Sequence, residues 1–357
     1  MKKFLAILMC AIMALGLIGI AGAEGEKIGI SMPTKDLQRW NQDGSYMEAM
    51  FTEAGYVVDL QYAANDVQQQ LNQVTNMINN GCSVVIIAAI EGSSLGSALD
   101  LAKEKGVAVF AYDRLLMESD AVSYYATFDN YMVGTVQGTY VKEALDLDNA
   151  EGPFNLEITA GDPGDNNAGY FYQGAIDVLM PYIESGKLIV KSGQIAFSDV
   201  ATPGWKSETA QSRANAILSN YDDGSNIDAW LCSNDSTALG VINALEDNYD
   251  GEWPIITGQD CDVATMAKMI DHKQAMSVFK DTRTLAAQVV KMVGQLFSGE
   301  EVEVNDTETY NNGKIVVPSF LCEPVFANLD NWQELLIDSG YYVLNSEGYP
   351  VVPVAAE

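Results

Sequence analysis

Val84-Val-Ile-Ile-Ala-Ala-Ile90, a helix-period segment over Ser93–Lys105, Gly106, and then Val107-Ala-Val-Phe-Ala-Tyr112 form the stretch that decides the fold. A half-exposed strand alternates apolar with polar residues, whereas an unbroken apolar run of strand length reads as a strand buried on both faces. Gly106 supplies the stop between the helix and the second such run. Two doubly buried strands joined by a helix are the unit of a parallel sheet packed between two layers of helices.

The same alternation extends in both directions. Upstream, Lys27–Met32 reads as a strand, residues 41–54 as a helix closed by Gly55, 56–62 as a strand, and Asp66 opens a helix to Asn80 before Gly81. Downstream, strands are expected near Phe154–Thr159, Leu188–Lys191, Ile227–Cys232, Pro254–Thr257 and Met276–Phe279, with helices between them. That many strands exceed one comfortable sheet, so the expected fold class is α/β with two doubly wound, Rossmann-like parallel-sheet lobes. No internal repeat and no Ser/Gly-rich or Pro-rich tether appears. Crossings near Phe128–Asn130, Phe279–Asp281 and Lys314–Pro318 would therefore act as a three-segment hinge. The expected division is residues 27–129 with 281–316 in one lobe and 130–280 with 317–342 in the other, followed by a frayed tail over 343–357.

Composition narrows the chemistry. The chain has 357 residues, 48% hydrophobic and 19% charged, with a net charge of −30. The apolar content supports two cores, and the acidity repels phosphate backbones and anionic membrane surfaces, so no nucleic-acid partner is expected. Lys2 and Lys3 precede an apolar run from Phe4 to about Ile20, and Ala21-Gly22-Ala23 follows. This reads as a signal peptide over residues 1–23, cleaved after Ala23, which places the mature protein outside the cytoplasm. Cys82, Cys232, Cys261 and Cys322 lack any C-x-x-C spacing and read as buried free thiols, with a Cys232–Cys261 bridge as the alternative.

Elimination removes much enzymology. His272 is the single histidine and reads as the polar end of a helix, so a histidine triad or a multi-histidine zinc site has little to build on. No G-x-G-x-x-G follows the first strand and no G-x-x-x-x-G-K-[ST] occurs, so no cofactor is expected. In open parallel sheets ligands bind beyond the carboxyl ends of the strands. Those ends carry Arg39 and Trp40, Asp113 and Arg114, Asp165-Asn-Asn167, Asn234 and Asp235, Gln259 and Asp260, and Lys280 and Asp281. Carboxylates, amides and guanidinium groups make directional bonds to hydroxyls that donate and accept together, and Trp40 and Trp205 could stack on a pyranose face. Any one of these residues could equally be a turn or an N-cap, the reading preferred for Asp235 and Asp262. The number of strand ends involved favours a sugar cleft.

The segments Arg39-Trp40, Ala111-Tyr-Asp-Arg114, Ser123-Tyr-Tyr-Ala-Thr-Phe-Asp-Asn130, Asp165-Asn-Asn-Ala168, Ser233-Asn-Asp235, Gly258-Gln-Asp260 and Phe279-Lys-Asp-Thr282 resemble, in order along the chain, the xylose-binding and multiple-monosaccharide-binding proteins of bacterial ABC importers. The resemblance implies a type I periplasmic-binding-protein fold that closes on an aldopyranose. It implies ring and hydroxyl contacts from Asp113 and Arg114, further hydroxyl contacts from Arg39, Asn167, Asn234, Asp260 and Lys280, and stacking by Trp40 and Trp205. Tyr172 stands where xylose binders carry an Arg. The Asp146-Leu-Asp-Asn-Ala-Glu-Gly152 stretch puts Ala150 at a ligand position of the calcium loop found in some relatives, so no metal is expected.

The implied function is an extracytoplasmic, non-enzymatic receptor that captures a monosaccharide of the xylose, glucose or galactose class and hands it to an ABC transporter permease. A chemoreceptor or sensor kinase is an alternative partner. A transcription regulator would need a basic N-terminal headpiece where this chain has its apolar run. A secreted glycosidase would need one of the cleft acids tuned as a proton donor.

Overall fold

A computed structural model describes residues 25–353. The expected signal peptide lies outside the described residues. Twelve strands build the two lobes: β1 Lys27–Met32, β2 Val57–Tyr62, β3 Val84–Ile87, β4 Ala108–Tyr112, β5 Val122–Phe128, β6 Phe154–Thr159, β7 Leu188–Ile189, β8 Ala229–Cys232, β9 Ile255–Ile256, β10 Met276–Phe279, β11 Ser319–Cys322 and β12 Val325–Asn328. The first sheet is all parallel in the order β11-β5-β4-β3-β1-β2. The second runs β7-β6-β8-β9, also parallel, and is continued by bonds from Ala275 N–H to the Ile256 carbonyl and from Val278 N–H to the Gly258 carbonyl. Antiparallel β12 closes that edge on β10.

The decisive stretch is buried as its composition demands. Val84 and Ile86 enter one core cluster while Val85 and Ile87 enter the cluster on the opposite face of the sheet. All four are fully buried, which contributes roughly 6–12 kcal/mol on a scale of about 1.5–3 per aliphatic side chain. Helices Gln38–Glu53 and Thr282–Ser298 supply the first face, and Val67–Asn79 and Gly96–Lys105 the second. In the second lobe, Trp230 and Cys232 face one cluster and Ala229 and Leu231 the other.

The chain passes from the first sheet to the second after β5, and after β10 it returns with the helix Thr282–Ser298, which packs on the first sheet. Ser319–Cys322 pairs in parallel with Tyr125–Phe128, so this strand is the edge of the first sheet and the chain passes over only after Cys322. A boundary near Lys314–Pro318 misses this because Lys314-Ile-Val-Val-Pro318 has the apolar look of a strand about to end. Residues 343–353 are also ordered: Val343–Leu344 pairs with Pro350–Val351 in a short antiparallel hairpin, where composition suggested fraying. All four cysteines of the described chain are buried free thiols, so Cys232 and Cys261 are not bridged.

Two helices that frame the cleft approach unusually closely. A methyl at Gly134 would strike the Phe171 carbonyl, and one at Gly174 would strike the Tyr131 carbonyl. Helices Asn130–Ala144 and Asn166–Glu184 therefore pack backbone to backbone, which fixes the first turns of the latter against the interlobe cleft.

Candidate functional site

A cleft between the lobes is lined from both sides. The first lobe contributes Leu37, Arg39, Trp40, Asp113 and Arg114. The second contributes Asp165, Phe171, Trp205, Asn234, Gln259 and Asp260, and Lys280 comes from the crossing.

Arg39 lies in the first turn of the Gln38–Glu53 helix, which begins three residues earlier than its apolar pattern suggests. Its Nε donates to Asp43 Oδ2 at 2.9 Å, and Nη1 lies 3.0 Å from Asp113 Oδ1 and 3.5 Å from Asp260 Oδ1. Lys280 Nζ sits 3.0 Å from Asp260 Oδ1 and 3.9 Å from Asp113 Oδ1. Arg114 reaches across the cleft to Asp165 Oδ2 at 3.0 Å and donates to the Ala89 carbonyl at 3.0 Å. Both guanidinium groups also lie over the Trp40 ring, 4.6 and 5.0 Å from its centre.

Asp113, directly after β4, and Asp260, in the turn beyond β9, have left-handed backbone with φ of 57° and 94°, and Trp205, at the end of the short turn Pro203–Trp205, has φ of 56°. Such conformations cost of order 1–3 kcal/mol each for a residue with a side chain and persist only where the surroundings impose them. At Asp113 the imposition is visible. Its carbonyl accepts from Tyr125 Oη at 2.6 Å, from Thr127 Oγ1 at 3.0 Å and from Asn167 Nδ2.

Electrostatics separates the buried acids. Burial pushes the Asp113 carboxyl up, but Arg39, Lys280 and Arg114 together outweigh it and hold the group below the usual carboxylate range. Asp165 is raised by burial, with Arg114 opposing. Asp43, fully buried behind Arg39 and bonded by Tyr112 Oη, is pushed up by burial to about 6 despite Arg39.

Several polar atoms at the cavity are buried and have no hydrogen-bond partner among the described residues: Arg39 Nη2, Trp40 Nε1, Trp205 Nε1 and Gln259 Oε1. Leaving such a group unpaired costs about 1–3 kcal/mol, so their clustering at one place marks a surface built to bond a polar guest.

Of the residues predicted to bind ligand, Arg39, Trp40, Asp113, Arg114, Trp205, Asn234, Asp260 and Lys280 line this one cavity. Asn167 stands behind its wall, with its amide spent on the Asp113 carbonyl and on Tyr125 Oη. The capping readings change too. Asn234 is the N-cap of the Asp235–Asn248 helix, accepting from Thr237 N at 3.0 Å, while Asp235 is fully buried. Asp235 accepts from Asp262 N, Thr265 Oγ1, Gln274 Nε2 and Ser277 Oγ, and so braces the turn that carries Asp260. Asp262 occupies an N-cap position without a capping bond. Tyr172 points away from the cavity and donates to the Ile195 carbonyl at 2.5 Å.

Leu37, Asp165, Phe171 and Gln259 were not among the predicted contacts. Phe171 was findable, because it follows Asn167 by four residues and so shares its helix face. Gly161 gives Trp205 its place, since a methyl there would fall within the indole.

A profile of the periplasmic binding protein domain matches residues 28–301. The chain is 46% identical over 319 residues to the multiple sugar-binding periplasmic protein SbpA of Azospirillum brasilense, spanning 88% of this chain and 89% of that one. It is 42% identical to the multiple sugar-binding periplasmic receptor ChvE of Rhizobium radiobacter, spanning 96% and 98%. A crystal structure of an ABC transporter solute binding protein from Clostridium phytofermentans with bound β-D-glucose superposes with a TM-score of 0.88 at 65% identity, covering 89% of this chain and 98% of that one. By profile, sequence and architecture, the chain belongs to the periplasmic binding protein family and has its type I fold.

Proposed function

We propose that this protein is an extracytoplasmic receptor that closes its two lobes around one aldopyranose, with D-glucose the first candidate, and delivers it to an ABC importer. The carrying observation is the convergence of three cations, three carboxylates and two indoles from both lobes on one cavity, with buried donors and acceptors left over. A sugar hydroxyl loses its water on entry and must find both a donor and an acceptor in return. Asp113 and Asp260 would accept from hydroxyls, Arg39, Arg114, Lys280 and Asn234 would donate, and Trp40 and Trp205 would cover the C–H faces of the ring. Asn167 would act through Asp113 by fixing its backbone. The choice of glucose leans on the bound sugar of the Clostridium phytofermentans protein.

The relatives named above are called periplasmic, which supports export by cleavage after Ala23 and a permease as partner. A chemoreceptor that reads the closed form would use the same sugar site. The relatives are named for binding a sugar or solute, which supports binding without turnover. A thermal-shift and calorimetric screen of D-glucose, D-xylose and D-galactose tests the reading. A ligand at one hundred times its Kd adds about 2.7 kcal/mol of stability. Silence toward every aldose, or hydrolysis of aryl glycosides, would refute it.

A further inference from the structure

A second set of interlobe bonds lies apart from the cavity and uses residues adjacent in sequence to its key pair. Arg39 and Asp260 face one another across the cleft at 3.5 Å. Gln38, one residue before Arg39, donates from Nε2 to Tyr342 Oη at 2.5 Å, and Tyr342 Oη donates to the carbonyl of Cys261, one residue after Asp260, at 2.9 Å. The other end of the Gln38 amide accepts from Val263 N–H at 3.1 Å. The Tyr342 ring is fully buried in the second lobe beside Cys261, Met266 and Leu336, so its hydroxyl is held out toward the first lobe by a rigid core. Tyr341 repeats the device one residue earlier, donating to Gln42 Oε1 at 3.3 Å from the same core.

We propose that Gln38 and Tyr342 are positioning residues that tie the lobes together in the closed form, without touching the sugar, and thereby set how long a captured sugar is held. The proposal rests on the sugar-receptor reading above. Gln38 belongs to the first lobe, while Tyr342, Cys261 and Val263 belong to the second. Swinging the lobes apart separates Gln38 from Tyr342 and Val263, so these bonds exist only on the closed side of the equilibrium. Interactions confined to one state shift its population whatever ligand is bound. Since they form after encounter, they act on release and leave capture alone. Because they do not read hydroxyls, they scale the affinity for every sugar by one factor.

Tyr342→Phe keeps the ring and removes the shared hydroxyl, and Gln38→Ala removes its partner at a half-buried helix start. Stopped-flow Trp fluorescence, reporting through Trp40 and Trp205, measures both rates with D-glucose and D-xylose. Each variant should bind about tenfold more weakly, or about 1.4 kcal/mol, with release about tenfold faster and capture within about twofold of wild type. The ratio of the two sugar affinities should not move, and the double variant should be less than about threefold weaker than either single. Unchanged release in a cooperatively melting variant, a loss carried by slower capture, or a changed sugar ratio would overturn the proposal. Should Tyr342→Phe not fold, Gln38→Ala alone decides by the same criteria. A wild type that binds no aldose refutes the sugar reading instead. The tie falls with that reading, and unchanged release from variants of a sugar-binding wild type sinks the tie alone.

Discussion

Asp113→Asn isolates the charge at the centre of the cavity. The substitution is isosteric, and Asn tolerates the left-handed φ of 57° better than most residues. The backbone stays pinned, because Tyr125, Thr127 and Asn167 all bond the residue 113 carbonyl rather than its side chain. What changes is one negative charge, 3.0 Å from Arg39 Nη1 and 3.9 Å from Lys280 Nζ. Sugar affinity loses a charged acceptor, worth about 1.5–3 kcal/mol, and the new amide adds a donor among donors, so a loss of about 2–4 kcal/mol, or about 30- to 1000-fold, is expected. The fold should survive, because Arg39 keeps Asp43 and Lys280 keeps Asp260. The sign of the pH effect also follows. A carboxyl held below its usual range keeps its contribution above the unfolded pKa and loses it only as pH falls through the folded one. Asp113 should therefore stay charged from pH 7 to pH 5, so the ratio of wild-type to Asp113→Asn affinity should hold across that range, with Asp43 titrating in both proteins. Calorimetric titration at the two pH values, with melting curves as the fold control, measures this. A folded Asp113→Asn protein that binds glucose within about threefold of wild type would refute the assignment of this carboxylate.

Three further outcomes are expected. Gly161→Ala should leave far-UV circular dichroism unchanged yet weaken sugar binding at least about tenfold, because the new methyl displaces the Trp205 indole, and a folded variant with wild-type affinity would contradict that. Asp43, raised to about 6, binds more protons folded than unfolded between roughly pH 4 and 6, so stability drains as pH rises through that window. Relative to Asp43→Asn, wild type should lose up to about 3 kcal/mol from pH 4 to pH 7 in chemical unfolding, and a constant difference would count against the buried acid. Gly174→Ala should cost about 1–3 kcal/mol of stability by forcing the Asn130–Ala144 and Asn166–Glu184 helices apart, and should also weaken sugar binding through Phe171, whereas a neutral melting temperature would show that the helices can separate freely.

These expectations show which parts of the molecule can be read from residues alone. Val84–Ile87 announces a doubly covered strand because burial on both faces is a local property, visible in four consecutive side chains. The cavity wall was legible for a related reason. In a parallel sheet the residue after each strand is delivered to one edge, so Asp113, Asn234 and Asp260 could be listed from strand ends without knowing which strands neighbour one another. Asn167 exposes the limit of that rule, since the strand end puts it in the right place but only the three donors on the Asp113 carbonyl reveal that its amide is already used. The place of Ser319–Cys322 is not legible in the sequence, because strand membership is a long-range choice, made by pairing with Tyr125–Phe128 almost two hundred residues away, and nothing in Ser-Phe-Leu-Cys states the partner. The Gln38–Tyr342 contact lies beyond sequence reading for the same reason, with 304 residues between its members and no motif joining them. The polar groups proposed to meet a sugar thus collect at strand ends and are written locally. The contacts proposed to hold the lobes together come from the return of the C-terminal segment across the cleft, and only the folded chain displays them.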